Sequence, residues 1–597
     1  MKKYSAEYIE HFLNKSGILY QVGKPSRYIG GEYNSVVKKH DESMMKFLLV
    51  FPDIYDIGMS HLGLKILYEI INKRDDMLAE RSYLPFFDMK EKMLEYDIPV
   101  YGLETKTPAS SFDVIGFTLQ YELSFPGVVE YLRLAGVAVK SSDRSEEDPI
   151  VIAGGPCAYN PEPIADFIDA FLIGDGENSI VEVGESLKKT KGMKKSQRLL
   201  ELSKIPGIYV PQFYTQKGME ILPLEEYENI VPARIKKRRE NLTVENAPVN
   251  QVVPFLAIVH DRAAVEVLRG CTRGCRFCHA GMVYRPVRER SKEDIKELVE
   301  KVLKSTGYEE LSLLSLSTLD HSQIKDIVDD ILPFMKENTI SISIPSTRVD
   351  RFGLEIGDKI AAVRKTGLTF APEAGTQKMR DVINKNVTEE EILNTAEAAK
   401  QKGWSRLKLY FMGGLPMEKD EDLEAIIEIV KKIKKKGIKR ISVSVAGFVP
   451  KPHTPFQFCK QATIDELHNK IRLLAVLKKH ANFEFHKPEI TRIEGVVARG
   501  DRNLAPIIEE ISKDKGYLQG WKEGFDYHSW LEMFEKFSIN PDDYTRERDI
   551  DEKLPWDHID SGLKKEFLID EYKKSVEGNL TPDCRWAECS ACGVCFD

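Results

Sequence analysis

A multidomain α/β protein is the fold class this sequence predicts, and three observations predict it. Two separate series of short apolar runs alternate with longer amphipathic stretches, the rhythm of βα units. A chain of 597 residues is too long for one core and long enough for about three. Hydrophobic residues at 42% and charged ones at 30% give each segment a core to bury, with no low-complexity tract between them. The start, MKKYSAEYIEHFLNKSG, has no apolar leader region, and no run on the order of 18 apolar residues occurs. A cytoplasmic protein with no membrane partner is expected. A net charge of -8 excludes a global attraction to phosphate backbones, though a local basic face stays open.

In the first series KFLLVFPDIYDIG, DVIGFTLQYE, PIVIAGGPCAYNP and AFLIGDGE read as strands with their loops. LGLKILYEIINKR and LSFPGVVEYLRLAG read as the helices between them. Residues 1–205 therefore form a doubly wound, Rossmann-like domain, whose ligands bind at the carboxyl edge of the sheet. Gly154, Gly155, Gly174 and Gly176 follow strands at that edge and read as ligand-facing loops, with turn making alone as the alternative. Residues 206–260 lose the rhythm and read as a linker. Its basic run, Arg234 to Arg239, reads as a solvated loop, with RNA or an acidic partner as the alternative.

The second series spans 261–460: AVEVLRG, ELSLLSLS, ISISIPSTR, LTFAPEAG, RLKLYFMGGLP and RISVSVAGFVP, separated by helices such as EDIKELVEKVLKST and EDLEAIIEIVKKIKKK. Six strand-helix repeats predict a partial (β/α)6 barrel. Residues 461–597 form a mainly helical C-terminal region with a Cys-rich tail. Within it Arg499, Asp501 and Arg502 read as a helix cap with ion pairs, and Trp556, Asp557 and His558 as candidates for the barrel mouth.

All but two of the nine cysteines fall in two tight clusters, which in a reducing compartment points to metal ligands rather than disulfides. Cys157 and Cys459 stand apart as packing residues. LRGCTRGCRFCHAG sets Cys271, Cys275 and Cys278 in a C-x3-C-x2-C loop directly after the first barrel strand. Three thiolates can hold a four-iron cluster and leave its fourth iron open to an outside ligand. A zinc site closed by His279 is the structural alternative. The tail, PDCRWAECSACGVCFD, places Cys584, Cys589, Cys592 and Cys595 as a second donor set, for zinc, for a second iron-sulfur cluster, or for no metal at all.

The cysteine loop and its arginine-rich exit, RPVRERS, resemble the radical S-adenosylmethionine (SAM) superfamily, and within it the cobalamin-binding and methylthiotransferase-like branches. The resemblance implies a 4Fe-4S cluster on Cys271, Cys275 and Cys278 as the catalytic centre, with Phe277 beside it. It implies SAM contacts from Glu373 in LTFAPEAGTQKMRDVINKN, from Gly413, Gly414 and Pro416 in YFMGGLPMEKDEDL, and from Ser346 and Arg348 in SIPSTRVD. In LLSLSTLD the segment Ser315 to Ser317 takes the place of glycines, with Ser317 the candidate contact. The N-terminal pieces YDIGMSHLGLKILYEI, DVIGFTL and VIAGGPCAYNPEPIADFIDAFLIGDGE resemble a cobalamin-binding-type domain. Its corrin would lie between sheet and barrel, against Gly58, Ser60, His61, Thr118, Gly154, Gly155 and Gly174. No D-x-H-x-x-G motif occurs, so a lower axial histidine is not expected.

The implied function is reductive cleavage of SAM to a 5'-deoxyadenosyl radical, for cobalamin-assisted methylation of an unidentified substrate. The alternatives are a methylthiotransferase-like or other radical SAM modification without cobalamin, and a non-catalytic, RNA-associated metal sensor. Expected partners are the substrate, an electron donor such as flavodoxin or ferredoxin, and an RNA or ribosomal component.

Overall fold

The computed structural model describes residues 4–344 and 368–595. Strands β1 (Met45–Phe51), β2 (Met77–Tyr83), β3 (Val114–Thr118), β4 (Ile150–Gly154), β5 (Ala170–Leu172) and β6 (Ile208–Tyr209) make the N-terminal sheet, in the order β2-β1-β3-β4-β5-β6. Every pair is parallel except β5 with β6. The strand order reverses between β1 and β3, and such a switch point opens a crevice beyond the strand ends. The helices read in this domain form over Leu62–Asn72 and Phe125–Leu134.

β2 escapes a reading by hydropathy because its sequence is MLAERSY, yet it is buried along its whole length. Arg81 makes this tolerable: its Nη2 donates to Glu32 at 2.8 Å and its Nε to Glu104 at 2.6 Å. A buried charge that is paired and hydrogen-bonded avoids most of its desolvation cost.

The six strands expected in the second series all form. β7 (Ala263–Glu266), β8 (Glu310–Leu314) and β9 (Ser341–Ser343) make one parallel sheet. β10 (Leu368–Glu373), β11 (Arg406–Gly413) and β12 (Arg440–Gly447) belong to another. The series runs one strand further than six repeats: β13 (Asn482–Phe485) pairs parallel to β12, inside the stretch read as the C-terminal region. Four residues, two of them exposed, carry too short a pattern to stand out. Helix Lys292–Thr306 starts where Ser291 accepts from the Asp294 N–H, and helix Glu389–Gln401 starts with a capping box of Thr388 and Glu391.

The linker is built into the fold. It contributes a hairpin, Tyr214–Lys217 with Glu220–Pro223, and Ile235–Lys236 pairs with Ile559–Asp560 of the C-terminal region. The basic run within it is divided: Arg234, Lys236 and Arg239 are exposed, as a solvated loop requires, while Lys237 and Arg238 turn into the protein. Lys237 is buried and donates to the carbonyls of Val283 and Arg285 at 2.8 and 2.7 Å; Arg238 pairs with Glu182, and Arg239 donates to the Val594 carbonyl at 2.9 Å.

Trp556 and His558 belong to the core instead of a barrel mouth. Trp556 Nε1 donates to Gln457 at 2.8 Å, and His558 lies 3.2 Å from Glu162. Asp557 accepts from the Leu554 N–H. Asp501 caps the turn Arg502–Leu504 and Arg502 pairs with Glu162 at 2.6 Å, as a cap with ion pairs requires. Arg499 is fully buried and donates to the Cys459 carbonyl at 2.6 Å. No helix among the described residues is long and apolar enough to cross a membrane.

Candidate functional site

The chain turns sharply after β7. Gly270 has φ +90, and a Cβ there would fall 2.6 Å from the carbonyls of Tyr284 and Pro286, so only glycine lets the loop double back. Cys271, Cys275 and Cys278 follow, all partly exposed, and Cys278 opens helix His279–Val283 with its Sγ accepting from the Gly281 N–H at 3.3 Å.

The two arginines between the cysteines anchor the loop. Arg273 pairs with Asp320 and lies 3.4 Å from Asp583. Arg276 is fully buried and donates to Glu571 at 3.1 Å and to the carbonyls of Val382 and Asn579 at 3.0 and 2.7 Å. With both guanidinium groups turned into the protein, the loop is braced while the three cysteines stay partly exposed. Desolvation, with the neighbouring Cys275 and Cys271, pushes the Cys278 thiol up to about 12.

Among the described residues no group of three or more His, Cys, Asp or Glu is gathered as a ready ligand set. The donor chemistry of the loop, three thiols on one braced turn, fits a cluster that takes its fourth ligand from outside. His279, the fourth ligand of the zinc alternative, packs edge-on against Tyr159 with ring centroids 6.0 Å apart.

The candidates on the later strands gather at the carboxyl ends of the barrel. Phe277 packs against the apolar cluster of Ala374, Met412 and Phe448. Glu373 ends β10 with φ +67, a conformation that a non-glycine residue holds only at a cost. Its carboxylate accepts from Lys385 Nζ at 3.1 Å, and the Lys385 charge also reaches Cys278. Lys385 was not singled out in the sequence; its only signal there is its place in the same segment as Glu373.

Gly413 lies under Phe485, and Gly414, with φ +81, donates to Glu418 at 2.8 Å ahead of the half-buried Pro416. Ser317 is buried and donates to Asp320 at 2.5 Å, so it serves the brace of Arg273; its neighbours Ser315 and Leu316 face the cavity described next. Ser346 and Arg348 lie outside the described residues.

A cavity of about 380 Å³ opens at the carboxyl edge of the N-terminal sheet and is closed on its far side by the start of the barrel. His61, Thr118, Gly154, Gly155 and Gly174 line it, and Gly270 and Ser315 face them. Two glycines are needed by the backbone itself: Gly155 at φ +105 sits against Leu119, and Gly174 at φ +101 against Arg238. Gly58 and Ser60 are not in the lining. Gly58 is wedged under Tyr83, and Ser60 Oγ donates to the Asp56 carbonyl at 3.3 Å and accepts from the His260 N–H at 3.0 Å.

His61 caps helix Leu62–Asn72, its Nδ1 accepting from the Leu64 N–H at 3.1 Å. Burial lowers its pKa to about 4, so the ring is neutral near pH 7. Since Nδ1 accepts, Nε2 carries the proton.

Residues 265–430 match the family model described as the radical SAM superfamily, and residues 63–211 one described as the N-terminal part of radical SAM proteins. An uncharacterized protein of Methanocaldococcus jannaschii is 27% identical over 488 residues, 82% of this chain and 96% of its own length. An uncharacterized methyltransferase of Pyrococcus horikoshii is 24% identical over 65% of this chain and 78% of its own. More distantly, a tRNA-2-methylthio-N(6)-dimethylallyladenosine synthase of Petrotoga mobilis matches 42% of this chain and 58% of its own at 22% identity. Among solved structures, the radical SAM methyltransferase TsrM of Kitasatospora setae, with cobalamin and a [4Fe-4S] cluster bound, has a TM-score of 0.53 at 14% identity. That likeness covers 83% of this chain and 99% of TsrM, and it shows the shared fold.

Proposed function

We propose that this chain, whose residues 265–430 match the radical SAM model, is a radical SAM enzyme that carries out cobalamin-assisted methylation, with cobalamin held between its N-terminal sheet and its barrel. One observation carries the reading: the 380 Å³ cavity is bordered by both domains, with His61 and Thr118 on one wall and Gly270, one residue before the first cysteine of the triad, on the other. Its location at the strand-order switch is where a doubly wound sheet takes a ligand. The fold shared with a cobalamin-bound structure supports the same reading.

When bound, the cluster with SAM supplies a 5'-deoxyadenosyl radical and cobalamin supplies a methyl group. Cys271, Cys275 and Cys278 would hold the cluster, while Arg273 and Arg276 keep the loop in one geometry. Glu373 and Lys385 offer a carboxylate and an ammonium to the ribose and carboxylate of SAM. In the corrin cavity, Thr118 and Gln120 offer hydrogen bonds from a wall that is otherwise largely apolar. His61 presents an N–H there rather than a lone pair, because its Nδ1 is committed to Leu64. Like any radical SAM enzyme, the protein needs a low-potential electron donor, of the flavodoxin or ferredoxin class. A methylthiotransferase-like activity is the second reading, resting on the 42% of the chain shared with the Petrotoga mobilis synthase.

The test is a count of cobalt and iron on protein purified anaerobically from cells supplied with cobalamin, followed by assay of 5'-deoxyadenosine. We expect about one cobalt and at least about four iron atoms per chain. Thr118→Trp, which fills the cavity, should lower cobalt about tenfold and leave iron in place; Cys275→Ala should abolish 5'-deoxyadenosine. Cobalt absent from the wild-type protein, or unchanged by Thr118→Trp, defeats the cobalamin assignment.

A further inference from the structure

The four tail cysteines are not used by the chemistry above, yet their segment lies directly beneath the catalytic loop. From residue 579 to 595 the chain forms neither helix nor strand. Side chains tie it to the loop instead. Asn384 donates to the carbonyls of Gly274 and Thr581 at 3.1 and 3.0 Å and accepts from the Thr581 N–H at 2.9 Å, so one amide joins the two segments. Asp583 stands 3.4 Å from Arg273, and Arg585 donates to the Asp320 carbonyl at 2.7 Å. The acid that pairs with Arg273 is thus itself held from the tail.

The four tail thiols are not gathered into a ready ligand set, but their surroundings suit a soft metal. Cys592 and Val594 are buried in an apolar cluster with Trp556 and with Met282, which lies on the helix that begins at the triad. Cys584 is half-buried, while Cys589 and Cys595 are exposed. Ala591 and Gly593 adopt φ +53 and φ +102, and the Ala591 N–H donates to Cys589 Sγ at 3.4 Å. Backbone curled around a cysteine sulfur in this way supports a bound thiolate. A stretch lacking regular structure gains its order from the metal it closes around.

We propose that Cys584, Cys589, Cys592 and Cys595 bind one thiophilic metal centre, a zinc ion or an iron-sulfur cluster, and that this centre locks the brace under the catalytic loop. The brace rests on the triad holding a cluster; the tail site does not.

The tail site is tested in full-length protein with Cys271, Cys275 and Cys278 all changed to alanine, loaded in parallel with Zn²⁺ and with Fe²⁺ plus sulfide. About one zinc or about four iron atoms per chain should be retained, and the preferred loading identifies the centre. Adding Cys589→Ser with Cys595→Ser should remove it. No retention under either loading, or retention despite the two serines, overturns the site.

The brace is tested with the triad intact, by the rate at which a chelator removes its iron, read from the visible absorbance. Asp583→Asn should leave the tail metal bound and speed that loss several-fold; equal rates overturn the brace. None of these readouts uses cobalamin or turnover, so failure of the methylation reading would leave them intact.

Discussion

His61 shows how one side chain can serve the fold and the cavity together. Its Nδ1 closes the first turn of helix Leu62–Asn72, and its other face borders the cavity. Replacing a capping side chain with alanine costs about 1 kcal/mol, so His61→Ala should lower the urea midpoint accordingly. Protonation would cost the same contact, because Nδ1–H cannot accept. The folded pKa, about 4, lies below the unfolded value of about 6.5, so the unfolded chain takes up the proton first. Stability should therefore fall as pH drops from about 6.5 through 4 and be unaffected by this group above that window. His61→Asn, which caps without titrating, should lose that component of the slope in a pH series of urea melts; an unchanged slope would contradict the assignment. The triad stood out as a donor set because its three cysteines fall within eight residues directly after a strand, where the structure places them on one braced turn. Lys385 was not, since a lysine gains meaning only from the Glu373 and Cys278 it faces. Gly58 and Ser60 share the His61 loop, but proximity in sequence does not tell which side of a turn meets the cavity.

Strands that follow the hydropathy pattern were legible: KFLLVF, VIGFT and IVIAG sit in the sheet where their apolar runs place them. β2 was not, because its burial depends on partners remote in sequence, Glu32 and Glu104, that neutralise Arg81. This makes β2 the element most sensitive to a single charge change. Arg81→Met would strand two carboxylates in the core, which costs about 3–5 kcal/mol when a buried pair is broken. Chemical denaturation of that variant should show a loss of this size, and a loss under about 1 kcal/mol would mean that the carboxylates find other partners. β13 was missed for a different reason. It is recruited by the free edge of β12, a tertiary preference that four residues cannot announce.

Across the whole molecule, ion pairs join the regions alongside their shared apolar core. Lys451 from the barrel sits between Glu122 of the N-terminal domain and Glu494 of the C-terminal region, at 2.7 and 2.8 Å. Glu162 is buried among Arg502, His558 and Tyr209. Burial alone would raise its pKa, but Arg502 and His558 hold it at about 2, below the usual value of about 4.3. The stabilisation, about 3 kcal/mol at most, is complete above pH 4.3 and is lost as pH falls toward 2. Glu162→Gln should therefore be less stable than wild type at pH 7, with the gap in denaturation midpoints shrinking over that acid range. A gap constant down to pH 2.5 would show that packing, not charge, holds these regions together. Such pairings were invisible in the sequence, where Glu162 and Arg502 are 340 positions apart. Arg276 has a comparable reach, since its carbonyl partner on Asn579 lies 303 positions downstream. At about 5–20 residues per second of synthesis, the ribosome delivers that partner about 15–60 s after the cysteine loop has emerged. During that interval the three thiols are present on a nascent chain whose Arg276 can reach the Asp381 and Val382 carbonyls but not Glu571 or Asn579. A chain that stops short of Glu571 thus carries the cysteine loop with only part of its arginine anchor in place.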